Sequence, residues 1–397
     1  MNPLVCVSAG QRFSFMDEAQ HFSVQKGFID MKGKIKSKKQ KSPLKLGYQI
    51  VIGVLTLFAA LMAAAGFLSG YIHPTGHEWV SFLGLILLPV LAVNMVLLGL
   101  CCVVRSHWGW VSLGALVLNI PFLLSLFQVR LWGCSAVDEG IPVKMITYNV
   151  NNFHTHGRSQ LTEITGWISD ERPDIVCLQE CPLSAGFTLD SLQHYLQQFP
   201  YACSTYPASE GSSLVVLSRF PIVLSEAILY PGSGNKSLKA SLVMGEDTVS
   251  LYSNHLQTTS VNNVKPRLYQ AKAQGDAHEG KEAAFQMAFQ MKQNAGLRAR
   301  QADFMRQLME GDDKSPHLVC GDFNDTPASY TYHQMKGKLT DGFRDCGSGF
   351  GFTFRELRRL FRIDYIFYSS HFRGYCYESP NLPYSDHNPV VWTGCLK

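Results

Sequence analysis

Charge is scarce in this chain. Asp, Glu, Lys and Arg make up 17% of its 397 residues, against roughly a quarter in a typical soluble domain. The deficit is concentrated: residues 47–129 carry one acid, Glu78, and one base, Arg105. A stretch so poor in charge cannot furnish the surface of a soluble protein, so one uniform soluble domain is excluded. Also missing is any CxxC pair, so the eleven cysteines indicate neither a zinc site nor a regular disulfide framework. Cys177 and Cys320 sit inside apolar runs and read as small buried hydrophobes. No internal repeat is present, which removes solenoids and propellers. Nor is there a basic excess in the C-terminal two-thirds. Residues 130–397 hold 25 Lys/Arg and 27 Asp/Glu, a net of −2, leaving no overall electrostatic footprint for tracking duplex DNA.

The positive charge lies at the N-terminus, where residues 1–46 hold nine Lys/Arg and three Asp/Glu. Three apolar stretches follow, about Gly47–Gly70, Val80–Val104 and Gly109–Gln128, each reaching the roughly 20 residues that cross a bilayer core. The run KGKIKSKKQKSPLK precedes the first, and the next two connections contain only Arg105. The positive-inside rule therefore places a basic, partly disordered tail (1–46) in the cytoplasm and, after three transmembrane helices (47–129) and a linker (130–142), puts residues 143–397 outside. Asn94, Asn119 and Pro121 fall at membrane depth. Helix packing with internal hydrogen bonds accounts for them, no intramembrane acid or base marks a transport path, and the block reads as an anchor.

Beyond Ile141 short apolar runs alternate with polar turns. VKMITYNV, DIVCLQE, SLVVLS, VSLYSNH, HLVCGDF and RIDYIFY read as strands. A helix face is marked by Leu161, Ile164, Trp167 and Ile168, and a longer helix is expected from about Glu282 to Met309. The polar stretch 258–281 reads as a loop.

Several of these strands end in ligand-capable residues: Asn149 and Asn151, Glu180, His255, the run Gly321-Asp322-Phe323-Asn324, and Ser385-Asp386-His387 in the last turn. Residues i and i+2 of an extended segment face the same way, so Asp322 and Asn324 aim at one point while Phe323 turns into the core. Singly, each has a structural explanation: a turn cap for Asn149, a solvated end for Glu180, a hydrogen-bonded strand residue for His255, an Asx turn for Asp322 and Asn324. Asp364 lies in an apolar run, where an unpaired carboxylate is costly. Clustered carboxylates need pairing, protonation or a cation, and oxygen donors without cysteine favour a hard ion such as Mg²⁺, with Mn²⁺ as an alternative.

In order, TYNVN, LQE, SNHL, GDFND, RIDYIF and SDHNPV resemble the endonuclease/exonuclease/phosphatase superfamily, over about Val143 to Trp392. The resemblance, to a membrane-attached bacterial branch, implies a four-layer α/β sandwich of two packed mixed β-sheets flanked by helices, behind a three-helix transmembrane block in a bacterial inner membrane. It implies a metal held by Asn149, Glu180 and Asp386, with Glu180 the principal carboxylate. Asp322 and Asn324 would orient the water and contact the scissile phosphate, Asp364 would hold His387 as a paired base, and His255 would be a second catalytic histidine. Asn151 stands where some members have an acid. The chemistry is consistent with these parts: water attacking a phosphate ester needs charge neutralisation and a base near neutral pH. For the substrate, Arg355, Arg358, Arg359 and Arg362 in FRELRRLFR are either anion contacts or a solvated surface, and Lys239 and Lys236 are further candidates. A membrane anchor favours a lipid headgroup or other small phosphate ester over nucleic acid. A catalytically inactive binding module is the remaining alternative.

Overall fold

The computed structural model describes residues 43–130, 140–207, 212–259, 264–312, 314–356 and 360–397. The basic run, most of the 130–142 linker, and Arg358 and Arg359 lie outside the described residues. The chain divides into two compact units, residues 1–53 and 54–397. In the first, the described residues are the start of helix α1 (Pro43–Leu68), which continues into the second; the remaining elements all belong to the second.

Among the described residues one segment, Leu46–Leu68 of helix α1, is by itself long and apolar enough to cross a membrane. The other two apolar stretches are each broken: α2 (Trp79–Leu85) meets α3 (Leu87–Val103) at 57°, and α4 (Gly109–Leu118) meets α5 (Ile120–Leu126) at 58°. Prolines explain both breaks. Pro89 and Pro121 lack the N–H that would bond back across the junction. Asn94 donates to the carbonyls of Ala59 in α1 and Val90 at 3.0 Å, and Asn119 to those of Ala63 in α1 at 3.4 Å and Ala115 at 2.9 Å. They tie helices together, as packing residues do. Phe58, Val96, Val103 and Trp110 point outward, a face suited to lipid.

Strands β1 (Ile141–Asn149), β2 (Ile175–Cys181), β3 (Tyr201–Ser204) and β4 (Ser213–Ser218) belong to one six-stranded sheet. Strands β5 (Ile222–Leu229), β6 (Lys236–Met244), β7 (Asp247–His255), β8 (His317–Asp322), β9 (Thr340–Asp341) and β10 (Asp364–Tyr368) form the second. Strands β11 (Phe372–Glu378) and β12 (Val390–Leu396) return to the first, giving the orders β11-β12-β1-β2-β4-β3 and β9-β10-β8-β7-β6-β5. Period-two alternation builds the layers. Met145, Cys177, Val216, Leu251, Cys320 and Ile366 meet between the sheets. Ile146, Tyr148 and Val176 face outward onto α6 (Leu161–Glu171) and α7 (Leu189–Tyr195). On the other side Tyr252, Val319 and Phe367 pack on the long helix described next. The architecture is a four-layer α/β sandwich of two mixed sheets.

The stretch read as a loop is largely helical: α8 spans Lys265–Gln274, and α9 runs from Ala277 to Gly311, starting five residues earlier than its apolar positions suggest. Asp276 caps α9 by accepting from the N–H groups of His278 and Glu279, the satisfaction a helix start requires. Helices α10 (Tyr330–Lys336) and α11 (Gly342–Cys346) complete the chain.

Candidate active site

Where the apolar residues between the sheets run out, the same inward parity continues in polar side chains. In β7, β8 and β10 the register sets His255 opposite Asp322 and Asp322 opposite Asp364, three abreast on the inner face. From the facing sheet come Asn149, at the end of β1, and Glu180, from β2. Glu180 adopts φ +54° where the pairing of β2 with β4 shifts between Leu178 and Cys181. Bulges re-aim side chains in this way, and left-handed backbone at a non-glycine residue costs about 1–3 kcal/mol. Gly321 has φ +120°, and a Cβ there would lie 2.0 Å from the Asn254 carbonyl oxygen. Only glycine fits this approach. Phe323 then stacks on Tyr365 in the core, and Asn324 turns back at φ +53° so that its amide reaches Asp322 at 3.2 Å.

The Ser385-Asp386-His387 turn closes the cluster. Ser385 donates to the Asn149 carbonyl at 2.8 Å and accepts from the His387 N–H. His387 Nδ1 lies 2.9 Å from Asp364 Oδ2, and its Nε2 lies 3.8 Å from Asp322 Oδ2. Burial opposes the charged imidazole, but Asp364 and Asp322 outweigh it and hold His387 well above the ordinary histidine value. Asp322 is pushed up to about 6, by burial first and by Asp364 second. His255 Nε2 is 3.5 Å from Glu180 and 3.8 Å from Asp322 and has no hydrogen-bond partner among the described residues. Asn149 Nδ2 bridges Glu180 at 3.0 Å and Asp322 at 3.1 Å.

A divalent cation fits this donor set. Four carboxylates converge, and their ion pairs within the described residues are with histidines alone. Asp386 is raised by burial and further by the negative charge of Glu180, the repulsion a cation between them would relieve. The tightest grouping of ligand atoms, however, is Asp322, Asp364 and His387, all within 4.8 Å of one another. Since Asp364 is already engaged with His387, the carboxylates of Glu180 and Asp386 remain the oxygen donors open to an ion; Asn149, whose Nδ2 faces Glu180 and whose Oδ1 accepts the Asn151 N–H, joins them only with its amide turned over.

The substrate candidates separate. Arg362 is wholly buried: its guanidinium pairs with Asp341 through both nitrogens and donates to the Ser125 carbonyl at 3.1 Å. It lies over the rings of Phe343 and Tyr365, and is therefore a core group rather than an anion contact. Lys239 is opposite Tyr252, three residues back from His255, and pairs with Asp312 at 2.6 Å, away from the cluster. Lys236 is the lysine opposite His255, its Nζ 3.0 Å from the Ser212 carbonyl. Arg355 braces the Ser385–Asp386 turn through two hydrogen bonds, N–H to Asp386 O and Nη1 to Ser385 O. Asn151 uses its backbone N–H on Asn149 Oδ1.

Sequence reasoning missed three contributors. Thr353 accepts the N–H groups of Ile363 and Asp364, fixing the backbone under the Asp–His pair. Phe354 sets its ring edge against His387, centroids 5.2 Å apart. Arg298 of α9, buried against Asp325 and the Gln257 carbonyl, borders the pocket over the cluster. That pocket, of about 190 Å³, is also lined by Ser81, Phe82 and Leu85 of α2. The apolar block thus forms part of the site's wall. Nothing in the sequence of α2 signals this.

Among solved structures, an endonuclease/exonuclease/phosphatase family protein from Bacteroides thetaiotaomicron is 18% identical, covering 65% of this chain and 98% of its own, with a TM-score of 0.48. The human nocturnin catalytic domain with bound sulfate is 19% identical over 66% of this chain and 97% of its own, TM-score 0.45. A humanized D. rerio TDP2 is 16% identical over 64% and 98%, TM-score 0.46. No curated protein matches. Residues 49–126 match a model described as a domain of unknown function (DUF8431). The model of the Endonuclease/Exonuclease/phosphatase family matches residues 146–387, from within β1 to the paired histidine and more than half of the chain, and the protein is a member of that family.

Proposed function

We propose that the protein is a membrane-anchored, divalent-metal-dependent hydrolase of phosphate esters, with the apolar helices in a bacterial inner membrane and the catalytic domain on the exoplasmic side. The observation that carries the chemistry is the inward row His255–Asp322–Asp364, closed by His387 and faced by Glu180 and Asp386. Glu180 and Asp386, with Asn149, would hold the cation, Mg²⁺ or Mn²⁺. When bound, it supplies charge neutralisation and Lewis-acid polarisation at the phosphoryl oxygens.

The remaining steps belong to the side chains. Water is oriented by Asp322 and Asn324. As it attacks in line, its oxygen bonds to phosphorus, the bond from phosphorus to the ester oxygen breaks, and the water's proton passes to Asp322. The sequence suggests His387 as that base, but flanking carboxylates favour its charged form, so it serves better as donor to a phosphoryl oxygen, with Asp364 holding Nδ1–H. In this reading His255, whose Nε2 has no hydrogen-bond partner among the described residues, protonates the leaving alkoxide.

The substrate is a small or lipidic phosphate ester. The cationic side chains Arg362, Lys239 and Arg298 are committed to Asp341, Asp312 and Asp325, and beyond the cluster the pocket is lined by Phe82, Leu85, Met291 and Ala295 beside the uncharged hydroxyls of Thr258, Thr259 and Thr326. Full-length protein in mild detergent, stripped with EDTA, should regain turnover with Mg²⁺ or Mn²⁺ on bis(p-nitrophenyl) phosphate or on a total lipid extract while plasmid DNA stays intact. His387→Ala should cost about 10²–10⁴-fold. Metal-independent turnover, or nicked plasmid with untouched esters, would refute this reading.

A further inference from the structure

The pocket that holds the catalytic cluster is also lined by Phe82 and Leu85 of α2, by Met291 and Ala295 of α9, and by Thr258, Thr259 and Thr326. Phe361 and Ile363 line it beside the Asp–His pair, Phe361 bridging to Phe354 and Ile363 preceding Asp364. Helix α2 is the first half of the apolar pair that continues into α3, whose Met95 and Val96 are exposed. A pocket lined by the acids Glu180, Asp322 and Asp386 and also by apolar side chains of α2 and α9 is matched to a molecule with a phosphate at one end and hydrocarbon at the other.

The path by which such a molecule arrives is set by how α9 lies on the chain before α2. Asp303 bonds His73 at 3.1 Å, Arg300 meets Thr75 at 3.5 Å, and Lys292 pairs with Glu78 at 3.5 Å. Numbers fall along α9 as they rise toward α2, so the helix runs antiparallel to this segment. Its N-terminal half continues past Trp79 beside the apolar helix. There the outward residues are Phe289 and Phe285, with Tyr269 on α8 and Trp79 at the start of α2, all exposed. Aromatic side chains of this kind favour the headgroup level of a bilayer.

We infer that α2 and the N-terminal half of α9 are the two sides of a lateral port, through which the hydrocarbon chain of a membrane phosphate ester extends from the catalytic cluster into the bilayer. The inference rests on the phosphoesterase reading and deepens it by naming the substrate class and the subsite that selects it. Leu85 and Ala295 are the specificity-determining positions: one supplies apolar wall, the other leaves room by having only a methyl group.

A series of alkyl p-nitrophenyl phosphates (methyl, butyl, octyl, dodecyl) tests it, since the scissile ester is constant and only the chain varies. With full-length protein in mild detergent and Mg²⁺, kcat/KM should rise at least tenfold from methyl to octyl, chiefly through KM. Leu85→Gln should cut the octyl-to-methyl ratio at least fivefold, and Ala295→Leu should cap the gain at shorter chains. Val96→Gln, on the outward face of α3, controls for a polar side chain in the apolar block and should keep the wild-type ratio. A flat chain-length profile in the wild type overturns the port, and so does an equal loss on all esters in both port variants. Failure to hydrolyse any ester in the series, or the lipid extract, with added metal refutes the phosphoesterase reading itself.

Discussion

Arg362 offers the sharpest test of the structure against the sequence. In FRELRRLFR it resembles its neighbours, and a role in anion binding predicts that Arg362→Ala raises KM and leaves stability untouched. Folded, it is buried with both guanidinium nitrogens on Asp341, three aromatic rings around it and a hydrogen bond to Ser125 of α5. Removing one partner strands a buried carboxylate, which costs about 3–5 kcal/mol. At roughly 2–4 °C per kcal/mol for a domain of this scale, the melting temperature of the purified protein in detergent should fall by about 6–20 °C. Scanning fluorimetry on wild type and variant measures it directly. Asp341→Asn should fall comparably, and the double variant Arg362→Met/Asp341→Leu should recover part of the loss, because two apolar groups leave no charge unpaired. An Arg362→Ala protein with unchanged melting temperature and a raised KM would refute the burial argument and restore the anion-binding role.

The same pair gives a pH dependence. Although burial raises it, Arg362 holds the Asp341 carboxyl below its ordinary value, so its contribution to stability is fully present above the unfolded value of about 3.9 and is lost as pH falls through the depressed one. Below pH 4 the wild type should therefore lose melting temperature more steeply than Asp341→Asn, and parallel profiles would contradict this. Asp364→Asn and His387→Ala should be far from additive in kcat, since one orients the other; independent losses would mean they do not act as a pair. Gly321→Ala should lower stability and activity together, because its Cβ would meet the Asn254 carbonyl at 2.0 Å and displace Asp322; a variant with normal activity and melting temperature would show that the strand end can shift without cost. Lys239→Ala should keep turnover within about twofold, as expected of a partly exposed pair with Asp312, and a tenfold fall in kcat/KM would place it at the site after all.

Six strands were legible from their apolar runs, and all six occur. The four-layer order came only with the family resemblance the strand-end motifs carry, whereas the aim of the site residues was legible from the strands themselves. The parity of an extended chain explains why. Leu318, Cys320 and Asp322 must share a face, as must Asp364 and Ile366, so a carboxylate one step beyond the core is already aimed at the edge of the sandwich. Less legible were β5, whose Val223 and Leu224 are exposed, and α8, whose polar sequence has no apolar stripe to mark a helix. What local pattern determined was the set of strands, the order of the site residues along them and an apolar block suited to a membrane. Tertiary structure alone decided that Arg362 belongs to Asp341, that Lys236 rather than Lys239 stands beside His255, and that Phe82 and Leu85 border the catalytic pocket. Each of these depends on partners brought together across the fold, and periodicity carries no record of a contact between segments distant in the chain.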